Sequence, residues 1–219
     1  MKDVTYLLQN QIPVVDSHTT VATLLKYIEK NNFSHFPIVE DELWIGNIAK
    51  EDLILETNNT LLGELKMNFQ YFSTEKSTYW ALLWENFMHN NSNIIPAIDK
   101  NRKLLGIYRK EDVLGFWDNI PSFIEKGTTI VIQKSSIEYS FSQICQIIES
   151  NNAKLLSIFI ISFENNFCNI LVKTNGLNNT EIIQDLRRFD YEIISKHLED
   201  SFQNKISDNS EYLQKYLNI

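Results

Sequence analysis

Four histidines and two cysteines are the raw material for nucleophilic or metal chemistry in this 219-residue chain. His18, His35, His89 and His197 each stand alone: none forms an HxxH or HExxH spacing or a His/Cys ligand set, so each reads as a surface or packed residue. No GxGxxG, P-loop or GxSxG loop is present. Cys145 falls on the apolar stripe of an expected helix, a poor place for an activated thiolate, and Cys168 lies in an apolar strand. Both are expected to be small buried hydrophobes. The carboxylates do carry a pattern: Lys50-Glu51-Asp52 recurs as Lys110-Glu111-Asp112, each at the expected start of a helix. Acidic side chains there complement the positive end of the helix dipole. Successive helical residues point about 100° apart, so neither Glu51-Asp52 nor Glu111-Asp112 is a catalytic dyad. The expectation is a non-catalytic protein with neither a metal site nor a catalytic residue.

The elements that carry those carboxylates are duplicated. Val21, Leu24, Leu25 and Ile28 make an i, i+3, i+4, i+7 stripe, and Trp80, Leu83, Trp84 and Phe87 repeat it at an offset of 59. Pro37 and Pro96 share that offset; after one inserted residue Gly46 matches Gly106, the Lys-Glu-Asp triplets match, and Leu53 matches Val113, all offset by 60. Each copy reads strand, helix, strand, strand, helix. The first has Ile12–Val15, a helix over about 20–31 capped by Ser17, Thr19 or Thr20, a strand Phe36–Val39, an Asp41-Glu42 turn, Leu43–Ala49 and a helix from Glu51-Asp52. The second has Tyr71–Ser73, a helix over 78–90, Ile94–Ile98, Leu104–Tyr108 and a helix over 110–117. Two such copies predict halves packed about a pseudo-twofold axis.

The helix stripe, the strands "FPIV" and "IPAI", the acidic turn, and the segments "WIGNIAKEDL" and "LLGIYRKEDV" resemble the CBS domain pair, or Bateman module, over residues 1 to 119. The resemblance implies CBS repeats at 1–60 and 61–122 and clefts for an adenine nucleotide or adenosyl compound: AMP, ADP, ATP or S-adenosylmethionine. It places Asp52 and Asp112 where a carboxylate holds ribose hydroxyls, and a carboxylate can accept two hydroxyl hydrogen bonds as a fork. Phe36-Pro37-Ile38 and Ile95-Pro96-Ala97 would flank the base. Three residues before the Asp, where ligand-binding repeats carry Ser or Thr against phosphate, this chain has Ala49 and Arg109. Ala49 loses that contact, whereas Arg109 can replace it with a bidentate one. The cleft of Asp112 and Arg109 is therefore the favoured one, although Arg109 also reads as a solvated edge charge.

A different unit spans 127–196. Thr128–Gln133 reads as a strand, Phe141, Ile144, Cys145 and Ile148 as a helix stripe, Leu155–Phe163 and Phe167–Lys173 as a hairpin turned by Asn165-Asn166, Ile182, Ile183 and Leu186 as a helix, and Tyr191–Ser195 as a strand. The order βαββαβ is ferredoxin-like. After a CBS pair this resembles an ACT-like domain of the acetoin-utilisation type. Its first turn, Lys134 to Ser140, carries no Gly, so association through the sheet edge or face is expected there rather than amino-acid binding. Tyr212, Leu213, Tyr216 and Leu217 suggest a helical tail over 197–219. The fold class is thus α/β (α+β): duplicated CBS-type units, then a ferredoxin-like ACT-type domain.

The net charge of −8 and a pI near 5.1 disfavour nucleic acid and anionic membrane as partners. No signal peptide or long apolar run is evident, so the chain reads as cytoplasmic. The implied function is a regulatory sensor of an adenine ligand, homodimeric, acting on an unidentified regulated protein. The alternative is a ligand-free dimerisation or protein-interaction scaffold with degenerate CBS sites.

Overall fold

In the computed structural model, which describes residues 4–176 and 180–195, the duplicated stripes become duplicated helices. Helix α1 (Val21–Asn31) buries Val21, Leu24 and Ile28, and helix α3 (Trp80–His89) buries Leu83 and Phe87. Each ends where an asparagine enters the left-handed region, Asn32 at φ 53° and Asn91 at φ 46°, a conformation asparagine tolerates better than most residues. Thr20 is the residue before α1, but its side chain makes no cap bond and instead meets the Thr23 hydroxyl at 2.9 Å.

Each helix leads into an antiparallel strand pair. Strands β1 (His35–Glu40) and β2 (Leu43–Ala49) turn through Asp41 and Glu42, at φ 50° and 66°. Two consecutive positive φ values give the turn a twist that matches the strands it joins. The short helix α2 (Lys50–Ile54) follows at once. In the second repeat, β3 (Thr74–Glu75) runs parallel to β4 (Ile94–Ile98), β4 pairs with β5 (Leu104–Arg109), and α4 (Lys110–Leu114) follows.

Two expected strands are corrected. Ile12–Val15 forms no strand: Pro13 has no N–H to give to a ladder, and the segment touches its sheet only through the Val39 N–H donated to the Val15 carbonyl and an Asp16–Val39 bridge. The strand expected at Tyr71–Ser73 lies at Thr74–Glu75 instead. The residues just before it serve the other repeat. Gln70 and Asn47 exchange both backbone hydrogen bonds at 2.8 Å, and Gln9 and Ile107 do the same at 2.9 Å. Each repeat is therefore closed by a segment that precedes its partner.

Those crossings demand glycine. Gly46 and Gly106 sit at φ 151° and 153°, where side chains are strained. A Cβ on Gly106 would lie 2.4 Å from the Gln9 carbonyl oxygen, and one on Gly46 would lie 2.9 Å from the Phe69 Cβ. Two apolar cores result. The first, around Leu24, Ile28, Phe36 and Ile48, also takes in Ile94 and Ile107 from the second repeat; the other gathers Leu83, Phe87, Ile95 and Tyr108.

The chain divides into compact units between Asn119 and Ile120. In the second unit, α5 (Pro121–Ile124) precedes β6 (Thr128–Ser135), α6 (Phe141–Ser150), β7 (Leu155–Glu164), β8 (Phe167–Thr174), α7 (Thr180–Arg188) and β9 (Glu192–Ile193). The strand order β7-β8-β6-β9, antiparallel throughout, is the ferredoxin-like arrangement. Asn165 and Asn166, at φ 49° and 67°, form the hairpin turn. Cys168 is buried, which pushes its thiol pKa up, whereas Cys145 is only half-buried and not the core residue the sequence suggested. Among the described residues no helix is long and apolar enough to cross a membrane. The tail expected to be helical over 197–219 lies outside the described residues.

Replacing Gly106 by Ala is expected to destabilise residues 4–119 by about 1–3 kcal/mol, from backbone strain plus the clash with Gln9. Gly115→Ala, at a right-handed position with its nearest neighbour at 3.4 Å, should be neutral or slightly stabilising. Urea midpoints of the two variants make the comparison; equal losses would contradict this account of the crossing.

Candidate functional site

The pseudo-twofold axis runs between Ser34 and Asn93. The Ser34 N–H donates to Asn93 Oδ1 at 2.8 Å, and the Asn93 N–H donates to Ser34 Oγ at 2.9 Å. The carbonyls of the same residues accept the N–H groups that open α2 and α4: Lys50 to Ser34 at 2.7 Å, and Lys110 to Asn93 at 2.9 Å. Each short helix is thus hung from the start of its own repeat's central strand, beside the dyad. A cavity opens on either side. One, of about 320 Å³, is lined by Asn32, Ser34, His35, Ala49, Lys50, Glu51, Gln70, Asn90, Asn91 and Asn93 among others. Its counterpart, of about 220 Å³, is lined by Asn31–Phe33, Asn93, Arg109, Lys110, Glu111 and Leu114.

Asp52 and Asp112, both half-buried, stand in the first turns of α2 and α4 and are not part of the walls of these cavities. Arg109 and Asp112 come together, with the guanidinium Nε 4.0 Å from Asp112 Oδ2. Arg109 is also ion-paired with Glu111, so its charge is committed inside its own repeat. Lys110 lies over the Trp84 ring at 5.3 Å and reaches Met88 Sδ at 3.4 Å. The other residues expected to flank a base are packed away. Phe36 and Ile38 are wholly buried in the first core, and Ile95 and Ala97 in the other. Pro37 and Pro96 are buried between them.

Three residues that matter had drawn no attention in the sequence or had been set aside. His35, dismissed there as an isolated histidine, is a buried wall of the larger cavity. Its Nδ1 meets Ser34 Oγ at 2.9 Å, its ring stands edge-on to Phe72 at 5.4 Å, and Gln70 lines the same cavity. Gln9 is the third: its Nε2 donates to Asp112 Oδ2 at 2.9 Å. The shared offset of Ser34 and Asn93, and the recurrence of Gln at 9 and 70 just before each repeat, were the available signals.

Chemically, the larger cleft offers a cation, an acidic helix start and a wall of amides. Among the described residues, Lys50 has no ion-pair partner and Asp52 no hydrogen-bond partner. Amide and hydroxyl groups can satisfy the edges of a polar heterocycle or a sugar, and Asp52 can accept from paired hydroxyls.

A family model described as CBS domain matches residues 2–57. No curated protein sequence matches. Among solved structures, the chain is similar to the CBS domains of a transcriptional regulator from Streptococcus pneumoniae, at 21% identity and TM-score 0.47 over 52% of this chain and 98% of that one. It is likewise similar to a CBS domain pair/ACT domain protein from Thermotoga maritima, at 16% identity and TM-score 0.48 over 53% and 97%. A third similar structure is a putative acetoin utilization protein from Vibrio cholerae, at 18% identity and TM-score 0.47 over 54% and 92%.

Burial holds the His35 pKa below its ordinary value, outweighing Gln70, Asp52 and Glu51, which pull it up. The folded chain therefore takes up a proton less readily than the unfolded chain does. The stability that neutral His35 contributes is complete above about pH 6.5 and is lost as the pH falls through the folded value. Thermal midpoints measured from pH 7.5 to 5 should fall more for the wild type than for His35→Gln. Parallel curves would remove His35 as the titrating group.

Proposed function

We propose that residues 4–119 sense an adenine nucleotide or adenosyl compound, drawn from AMP, ADP, ATP and S-adenosylmethionine, and that the protein regulates a partner without catalysis of its own. The observation that carries this reading is the pair of dyad-related clefts, each beside a helix-start carboxylate and walled by asparagines, with Ser34 added in the larger one. Asp52 and Asp112 are the ribose-binding groups, with Lys50 and Arg109 the nearest cations for phosphate. The match of residues 2–57 to the CBS domain supports the first repeat, and the duplicated hydrogen bonding extends the same reading to the second.

A second reading, a ligand-free scaffold, draws on the Arg109–Glu111 pair and the Gln9–Asp112 bond, which leave one cleft satisfied by its own residues. Both readings make the protein a homodimer. Leu82, Met88, Leu114, Ile54 and Leu55 are exposed apolar residues of the helical segments in residues 4–119. The second unit, in its ACT-like role, contributes the edge strand β7, where Ile161 and Phe163 are exposed.

Thermal unfolding with millimolar AMP, ADP, ATP, S-adenosylmethionine or NADH separates the readings. A ligand at 100 times its dissociation constant adds about 2.7 kcal/mol, a shift of several degrees for a chain of this length. A selective rise is expected with one adenine ligand, abolished in the Asp52→Ala/Asp112→Ala double variant. A flat response to all five ligands favours the scaffold. Light scattering at micromolar concentration should give twice the 25.7 kDa chain mass, and a strict monomer would refute the dimer.

A further inference from the structure

The dyad relates the backbones of Gln9 and Gln70, but their side chains go to different places. Each residue exchanges two backbone hydrogen bonds with the strand that precedes a short helix, Gln9 with Ile107 and Gln70 with Asn47. From there the Gln9 amide reaches Asp112 at 2.9 Å, while Gln70 lines the larger cavity together with His35. One sequence difference accounts for the split. At the start of the central strand the first repeat has His35, whereas the second has Ile94 at the matching offset of 59. Imidazole offers Gln70 a polar partner. Isoleucine offers Gln9 none, and a half-buried amide without a partner is costly, so it turns to the next acceptor, the Asp112 carboxylate.

We infer that Gln9 is an internal latch on the Asp112 cleft, so that the Lys50–His35 cleft fills first and the other only after Gln9 is displaced. This rests on the reading that Asp52 and Asp112 receive the ligand's hydroxyls. It reverses the preference drawn from sequence, which favoured the Arg109 side. The latch is tied down as well as bonded: Leu7 and Leu8 pack against the second core, Val4 is buried in it, and Gly106 leaves the space that the Gln9 carbonyl occupies. Its release needs only a turn of the Gln9 side chain, since the backbone stays paired with Ile107.

Two measurements on the full chain test this. Calorimetric titration with the adenine nucleotide selected by thermal shift should show one tight equivalent and a second at least tenfold weaker. Gln9→Ala should bring the second site toward the affinity of the first, and His35→Ile, which frees Gln70 to reach Asp52, should weaken the first. Two equal sites in the wild type, or an affinity ratio unmoved by Gln9→Ala, would overturn the latch. The second measurement needs no ligand. In urea unfolding, Gln9→Ala and Asp112→Ala should be non-additive, the double variant losing little more than either single one, while Gln70→Ala and Asp52→Ala should be additive. Absence of nucleotide binding in every variant would defeat the sensor reading alone; additivity of Gln9 with Asp112 would defeat the latch whatever binds.

Discussion

A reciprocal bond between one hydroxyl and one side-chain amide organises residues 4–119. Ser34 and Asn93 each give a backbone N–H to the other's side chain, and each lends its carbonyl to the first residue of a short helix. A purely apolar dyad would let the halves slide, because hydrophobic contact is not directional. Here two bonds across the axis fix the register, and the two helix starts, each hung from one of these residues, follow from it. The positions of Lys50 and Lys110, and of Asp52 and Asp112 beyond them, are consequences of how Ser34 and Asn93 pair.

The exchange of closing segments follows from the same register. With the central strands back to back, the residues before each repeat pass over the other repeat's outer strand, and only glycine at 46 and 106 permits so close an approach. The exchange places Gln70 in the wall of the larger cavity and Gln9 against Asp112. Once the backbones are equivalent, the chemistry of the clefts is decided by single side chains: His35 against Ile94, and Ala49 against Arg109. Duplication supplies two sites, and divergence at two positions makes them unequal.

Much of this was legible in the sequence. The Leu43–Ala49 strand has the expected bounds, and the helix stripes turn inward, burying Val21, Leu24, Ile28, Leu83 and Phe87 and leaving Leu25, Trp80 and Trp84 half-buried, because periodicity reports which face must leave water. The Ile12–Val15 strand failed because apolar content says nothing of whether a partner can accept a ladder, and Pro13 removes a donor. The site was less legible for a physical reason. The roles of Gln9, Gln70 and His35 depend on contacts between residues 35 to 103 positions apart in sequence, and no local pattern marks them. Phe36, Ile38, Ile95 and Ala97 are buried, and strands beside a ligand and strands in a core have the same composition.

The inequality of the clefts has a magnitude. A hydrogen bond to a charged group contributes about 1.5–3 kcal/mol, and a ligand that must first break it binds more weakly by the corresponding factor, on the order of 10 to 150. A latch of that strength does not abolish the second site; it moves it to a higher concentration. Two identical clefts would saturate together over the same range. A latched and an open cleft spread the response, with the first filled at low ligand and the second only when ligand rises by a further order of magnitude or more. On the latch proposal only the second event displaces the Gln9 side chain from Asp112. The two clefts would then report different ligand abundances, the first low and the second high, which is a stepped rather than a proportional response.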